Sequence, residues 1–245
     1  MKLVNKISLL IILAIHMVFS ANASISENES LLQTVKQQIT ATNWHTLNSS
    51  DEWGFTVESH LDNGNGKMQH RVQSYNPNLV ATKQWQLIEQ DQQKPTPAML
   101  QEYASVQASI SNSEPKVNIA DMEIVHMVTL KLVENENGYA VYSFKPHLPM
   151  FDQEVNKVFD GQLFFNLKNS QIESLTITAS EAFSPGFSIS VENYEMKIMV
   201  SKLDEQLHVT EIVSEKSGTA FVFSSFNEKN IRKISLFFLA GQERG

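Results

Sequence analysis

The chain has 245 residues, 42% of them hydrophobic, and it contains no cysteine. Without cysteine, disulfides, thiolate metal sites, cysteine nucleophiles and lipid attachment at a cleavage-site cysteine are all excluded. The formal net charge is −8, and the few basic residues are spread singly along the chain. We therefore expect no nucleic-acid partner, since phosphate binding requires grouped positive charge.

The N-terminus has the three parts of a signal peptide. Lys2 and Lys6 precede an apolar stretch over residues 7–19, and alanines occupy positions 21 and 23. This stretch is shorter than the roughly 20 residues that a membrane-spanning helix requires. We expect a signal peptide over residues 1–23, cleavage after Ala23, export to the periplasm and no stable membrane span. Retention as an uncleaved anchor is the alternative.

Residues 24–245 are expected to form a single domain. No linker rich in Pro, Gly or Ser divides this stretch, and its length suits one large β domain. Cleavage removes two lysines and no acidic residue, which leaves 17 basic against 27 acidic residues and a formal charge of −10. Such acidity favours solubility and disfavours polyanionic partners.

The first element of the mature chain is predicted to be a helix over residues 26–42. Ser26 and Glu29 have the spacing of a capping box, in which each side chain bonds a backbone N–H at the helix start. An apolar stripe follows at helical spacing, which predicts one buried face. The stripe consists of Leu31, Leu32, Val35 and Ile39.

From Trp53 the apolar period changes to two residues, which is typical of a strand. The turn-forming residues 62–66 separate this strand from a return strand over residues 68–75, which predicts a hairpin. A short strand is expected over residues 85–88.

After residue 94 the pattern becomes helical again. Thr96 has an N-cap side chain and Pro97 suits the first helical turn, which predicts an inserted helix over residues 97–110. Beyond residue 115 we expect strands, with one short helical turn over residues 152–159. The strands are joined by short connections and should therefore be antiparallel neighbours. They cover residues 122–134, 139–144, 161–168, 171–179, 187–203, 207–215, 218–226 and 231–239.

The strand predicted over residues 187–203 contains a change of phase. Apolar residues occupy odd positions from 187 to 191 and even positions from 194 to 200. A continuous strand keeps both sets on one face only if an extra residue near Glu192 or Asn193 forms a β-bulge. Bulges bend strands, so this pattern indicates a curved sheet. Two separate strands joined by a short turn are the alternative.

Together these elements predict an α+β, mostly β fold. We expect a curved antiparallel sheet or an incomplete β-barrel, packed on the N-terminal helix and the inserted helix. Several strands carry bulky apolar residues at adjacent positions, such as Phe164 beside Phe165, which indicates apolar groups on both faces. An apolar surface that the two helices leave uncovered would form a ligand cavity or a protein interface.

No catalytic signature is present. The sequence lacks a Gly-x-Ser-x-Gly elbow, a His-Glu-x-x-His motif and a glycine-rich phosphate loop. We expect no enzyme activity, no cofactor and no metal. His60 and His70 flank the predicted hairpin turn and are interpreted as solvated side chains, although their position also suggests a metal site. His126 is interpreted as a hydrogen-bonded core residue rather than a ligand.

Bulky apolar residues on the predicted strands are the candidates for binding an apolar ligand. They are drawn from the first strand and from the C-terminal half of the chain, where the sheet is predicted to curve. The candidates are Trp53, Phe55, Val57, Phe187, Ile189, Phe221 and Phe223.

Two resemblances add to this interpretation. Tyr75-x-Pro77, Trp85-x-Leu87 and Pro95-Thr96 resemble a motif of uncharacterised exported bacterial proteins, a family with no established activity. A leader, an N-terminal helix and long strands interrupted by a helix are similar to the periplasmic lipoprotein-carrier (LolA-like) superfamily. That resemblance implies an incomplete barrel that holds acyl chains.

Two functions of different classes follow as hypotheses. The first is a periplasmic carrier or binder of a lipid, an acyl chain or another apolar ligand. The second is a non-catalytic module that binds another cell-envelope protein and holds no small ligand. A closed apolar cavity favours the first hypothesis, and a flat apolar patch favours the second.

Overall fold

The computed structural model describes residues 28–42, 53–112, 124–148, 151–186, 188–203, 206–221, 224–239 and 241. The predicted signal peptide lies outside these residues. The chain divides into two compact units, Met1–Thr40 and Ala41–Gly245. Within the described residues, no helix is long and apolar enough to cross a membrane.

The first unit contributes helix α1, which covers residues 28–41 and ends just beyond the unit boundary. Val35 and Ile39 of the predicted apolar stripe are its buried apolar residues, whereas Leu31 and Leu32 are half-buried. The helix and the direction of its buried stripe are thereby confirmed. Its packing on the sheet stays a prediction.

The described residues of the second unit form an antiparallel sheet of eleven strands and two α-helices. The helices are α2 (Pro97–Asn112) and α3 (Gln153–Lys157). The strands are β1 (Trp53–Asp62), β2 (Met68–Tyr75), β3 (Trp85–Gln90), β4 (Lys131–Glu136), β5 (Tyr139–Phe144), β6 (Phe159–Asn166), β7 (Gln171–Ala179), β8 (Phe183–Gly186), β9 (Ile189–Leu203), β10 (Gln206–Ala220) and β11 (Ser224–Leu239). The mostly β, α+β class is as predicted.

The strands follow the order β3-β2-β1-β11-β10-β9-β7-β6-β5-β4, with β8 paired to β9 beside this path. The edge strands β3 and β4 do not pair with each other in the described part of the chain, so the sheet is open. The N-terminal hairpin joins the rest of the sheet through β1 and β11, whose residues are about 180 positions apart in sequence. Short connections between strands predicted most other pairs of neighbouring strands, but not the β1–β11 pair.

Cross-strand partners define the two faces of the sheet, because directly opposed residues in antiparallel strands point the same way. The inner face carries the buried apolar residues: Leu87, Val57, Ile234, Ile198, Leu175 and Leu163 lie on six of its strands. The outer face carries mainly polar residues, among them Glu58, Lys233, Glu211 and Thr176. The sheet is amphipathic, and Phe164 is half-buried beside the buried Phe165 rather than part of a second core.

The predicted β-bulge in β9 is confirmed. Asn193 pairs with Ser217 and Val191 pairs with Gly218, so Glu192 is the extra residue. A Cβ atom at Gly218 would overlap the carbonyl oxygen of Ser190, which explains why glycine stands opposite the bulge. Register shifts also occur in the β1–β11, β2–β3, β4–β5 and β6–β7 pairs, and each adds local twist.

Helix α2 is inserted as predicted and packs on the inner face. Its start is capped by Thr96, whose Oγ1 accepts a hydrogen bond of 3.3 Å from the backbone N–H of Met99. Tyr103, which is buried, accepts a hydrogen bond of 2.7 Å from the side-chain amide of Gln73 on β2. The short helix α3 is likewise capped, by Asp152.

Three predicted boundaries are wrong for physical reasons. The strand predicted over residues 218–226 is interrupted, because β10 ends at Ala220 and Phe221 adopts a left-handed turn conformation with a φ of 52°. The predicted turn between residues 215 and 218 is continuous strand, because Gly218 serves the close backbone approach at the bulge. The strand predicted from residue 122 begins instead at Lys131. A 3-10 turn precedes it, stabilised by a hydrogen bond of 2.7 Å from Thr129 Oγ1 to the carbonyl of His126.

Candidate functional site

Three of the seven apolar candidates lie together on the inner face of β1. Trp53, Phe55 and Val57 are all buried. Phe55 stacks on Tyr75 at a centroid distance of 5.2 Å and meets the edge of Trp85 at 5.7 Å. These residues form the apolar core at one end of the long strands β9, β10 and β11. We call this end of the sheet the near end.

The near end continues from β1 into β10 and β11 through aromatic contacts. The ring of Trp53 lies 4.6 Å from that of His208, and His208 lies 4.9 Å from Phe237. His208 is fully buried and was not singled out from the sequence. A histidine within a strand of alternating apolar residues gives no signal that separates burial between rings from exposure to solvent.

Two of the other candidates, Ile189 and Phe221, are not part of this core. Ile189 is 37% exposed, and Phe221 is 75% exposed in the turn that follows β10. Phe221 lies 13 residues beyond His208 on β10, which corresponds to roughly 40 Å of strand. Phe187 and Phe223 lie outside the described residues. We call this region, the turn end of β9, β10 and β11, the far end.

Between the two ends, the inner face carries a half-buried strip. Arg232 of β11 is flanked by Ser59 of β1 and Ile212 of β10. The next cross-strand set along the strands consists of Asn230, Leu61, Ser214 and Met196. All seven residues are half-buried, so the strip is accessible while it adjoins the apolar core at Val57 and Ile234.

Arg232 is the unusual residue of this strip. Its guanidinium has no acidic partner and no hydrogen-bond acceptor among the described residues, and its burial lowers the pKa of Arg232 below the ordinary value. The side-chain oxygen of Asn230, two positions earlier on the same face, is buried and also has no hydrogen-bond partner there. Half-buried charges are normally paired because desolvation costs several kcal/mol.

The sequence pattern alone did not indicate the strip. Arg232 lies between Ile231 and Lys233 in the sequence, and a charged residue of a strand ordinarily points to solvent. Its inward direction follows from the register, in which Val57 opposes Ile234 and Ser59 opposes Arg232. That register depends on the long-range β1–β11 pair, for which the sequence carries no local signal.

The histidines that the sequence singled out differ in their exposure to solvent. His126 is exposed before the 3-10 turn, so the prediction that it lies in the core is wrong. His60 and His70 are direct cross-strand partners on the outer face of the hairpin. The side chain of His70 is only 12% exposed, which differs from the solvated pair that the sequence suggested.

No protein-family model matches the chain, and no curated protein matches its sequence. A crystal structure of a LolA superfamily protein from Nitrosomonas europaea is similar to this chain, with a TM-score of 0.40 and 12% sequence identity. The match covers 88% of this chain and 94% of that chain. The motif around Trp85 has no support from a family model.

Proposed function

We propose that the protein is a non-catalytic periplasmic carrier of an amphiphile that has an apolar chain and an acidic head group. The ligand lies along the half-buried strip of the inner face. The observation that carries this proposal is the unpaired guanidinium of Arg232, held on an apolar sheet face next to the buried amide oxygen of Asn230. An acidic head group would supply the acceptor that Arg232 lacks among the described residues.

The surroundings of Arg232 suit the rest of such a ligand. Leu61, Ile212 and Met196 offer partly exposed apolar surface within one or two strands of the guanidinium. Each methylene that leaves water contributes about 0.8 kcal/mol, so ten buried carbons contribute roughly 8 kcal/mol before ordering costs. Micromolar affinity corresponds to about 8.2 kcal/mol, and the Arg232 contact adds to the apolar term.

Overall charge is consistent with a singly acidic ligand rather than a polyanion. The mature chain carries 17 basic and 27 acidic residues, so the surrounding field repels extended negative charge. A single carboxylate at a desolvated guanidinium gains a charge-assisted hydrogen bond of about 1.5–3 kcal/mol. The periplasmic location in this proposal rests on the N-terminal pattern of charges and apolar residues.

The test is a fluorescence titration of delipidated protein with a long-chain fatty acid and with the fatty alcohol of the same length. We expect saturable binding of the acid, weakened about 10–100-fold by Arg232→Met, since a charged hydrogen bond is lost. Binding of the alcohol should change little. Lys233→Met is the matched control, because Lys233 is the next residue on β11 and lies on the outer face.

Two results would overturn the proposal. One is folded protein that takes up neither probe. The other is equal loss of acid binding in Arg232→Met and Lys233→Met, which would indicate a general charge effect instead of a site on the inner face.

A second candidate function is a module that binds another envelope protein. It is favoured by the far end, where Phe221 is 75% exposed and Ile189 is 37% exposed. Exposed aromatic groups at loop tips are common anchors of protein interfaces. If the titration finds no ligand, capture of a defined envelope protein by intact protein and its loss in Phe221→Ser would support this candidate.

A further inference from the structure

The outer face of the hairpin brings together three metal-binding side chains that the proposed carrier function does not use. Glu58 and His60 are two residues apart on β1, and His70 is the direct partner of His60 on β2. We call these residues the hairpin triad. Each offers one ligand atom, and the three atoms lie within 4.8 Å of one another.

The distances converge on one point. His60 Nε2 lies 3.0 Å from Glu58 Oε1, and His70 Nε2 lies 3.1 Å from the same oxygen. The two imidazole rings lie 4.6 Å apart. A tetrahedral zinc ion with bonds of about 2.0–2.1 Å separates its ligand atoms by about 3.3 Å. The two His–Glu distances therefore need only a slight widening, and the ligand atoms of the two imidazoles already lie within 4.8 Å of each other.

The fold holds the three residues of the hairpin triad close together without a bound ion. Antiparallel register places His60 and His70 side by side, and the turn between the strands is held by a hydrogen bond of 2.8 Å from Gly64 N to Asp62 Oδ1. The backbone of His70 is held by a further hydrogen bond, in which its N–H donates to Asp91 Oδ1 at 3.1 Å. Ligands on rigid strands lose little entropy on binding.

Partners outside the triad complete the arrangement. His70 Nδ1 is buried and lies 3.4 Å from Glu89 Oε1 on β3, without the angle of a hydrogen bond. Metal-binding histidines normally donate their second ring N–H to a carboxylate, which fixes the tautomer and strengthens the ligand. A small rotation of Glu89 would provide this contact and leave His70 Nε2 free for a metal.

Two lysines of β11 lie near the carboxylate of Glu58 or its strand neighbours. Lys233 lies opposite Glu58 on β11, and Lys229 opposite Asp62 pairs with Glu215 at 2.5 Å. Among these nearby cations only Lys233 faces Glu58 directly, and its side chain is exposed to solvent.

We propose that Glu58, His60 and His70 bind one divalent transition-metal ion, with Zn²⁺ as the best-matched probe. Two imidazole nitrogens and one carboxylate oxygen are ligands that zinc favours, and water would complete a tetrahedral set. The hard cations Ca²⁺ and Mg²⁺ prefer six or more oxygen ligands and should bind far more weakly. The site lies on the opposite sheet face from Arg232, so its test is independent of the carrier proposal.

The test is isothermal titration of purified, chelator-treated protein with ZnCl₂, and with CaCl₂ for comparison. We expect one zinc ion per chain with a dissociation constant below about 10 μM. The double variant His60→Gln/His70→Gln should bind at least 100-fold more weakly. Glu89→Gln should weaken binding about 10-fold, because it loses the partner of His70. His126→Gln, which replaces an exposed histidine outside the triad, should bind like the parent protein.

Thermal unfolding shows whether each variant is folded. At 100-fold excess of zinc over its dissociation constant, the unfolding midpoint of the parent protein should rise by about 5–10 °C. The double variant should unfold near the midpoint of zinc-free parent protein and show no zinc-dependent rise. The proposal is wrong if intact parent protein shows neither heat nor midpoint shift, or if the double variant binds zinc as tightly as the parent.

Discussion

The near end and the far end of strands β9, β10 and β11 are built from similar alternating residues but differ in what covers them. At the near end, Phe55 is fully buried among Tyr75, Trp85 and Phe237. At the far end, Phe221 is 75% exposed. Alternation of apolar residues thus predicts the face of the sheet on which a side chain lies. Its burial depends on which part of a long strand is covered by other elements.

The position of the turn accounts for part of the difference. Phe221 adopts a left-handed backbone conformation, with a φ of 52°, and its N–H donates to the carbonyl of Ser188 at 2.8 Å. A residue in this turn conformation cannot follow the strand alternation. Between the two ends, Arg232 lies where coverage is partial, which is why the proposed ligand site is placed there.

The largest expected effect separates the two ends directly. Phe55→Ala removes a fully buried ring and should lower the free energy of unfolding by about 3–5 kcal/mol. Phe221→Ala removes an exposed ring and should change it by less than about 0.5 kcal/mol. Urea unfolding of both variants is the measurement, and equal losses would show that the far end is covered in solution.

A smaller effect is expected at the bulge that shapes the far halves of β9 and β10. Gly218→Ala forces a Cβ against the Ser190 carbonyl and should cost about 1–3 kcal/mol, as other overpacked sites do. Gly186→Ala is the matched control, since no atom lies within 4 Å of its added Cβ. Thermal unfolding should distinguish the two, and an unchanged Gly218→Ala would contradict the close approach.

The smallest effect concerns the contact between α2 and the near end. Tyr103→Phe removes the hydrogen bond to Gln73 and should cost about 0.5–1.5 kcal/mol. Tyr142→Phe should instead leave stability unchanged or higher, because the Tyr142 hydroxyl is buried without a hydrogen-bond partner in the described part of the chain. Burial raises the pKa of Tyr142 to about 12. Equal losses in the two variants would show that the Tyr142 hydroxyl has a partner.

Local chemistry made much of the fold predictable from the sequence. Thr96 and Pro97 marked the start of α2, and residues 62–66 marked the hairpin turn. The change of phase near Glu192 located a bulge inside a continuous strand. Each of these signals arises from neighbouring residues whose backbone preferences act within one element.

The candidate site was less predictable because it depends on long-range pairing. Arg232 faces inward only through the register of β1 with β11, and Glu89 reaches His70 only through β3. Phe221 and Ile189 share an apolar pattern with Val57, yet the length of β10 separates Phe221 from His208 by roughly 40 Å of strand. No local pattern in the sequence encodes these distances.

Native mass spectrometry of protein purified from the periplasm without detergent tests the carrier proposal most directly. We expect one chain beginning at Ser24 with a single bound molecule of fatty-acid or lipid mass. Occupancy should fall in Arg232→Met and persist in Lys233→Met. A bare monomer, or a dimer without ligand, as the sole species of the parent protein would contradict the carrier proposal.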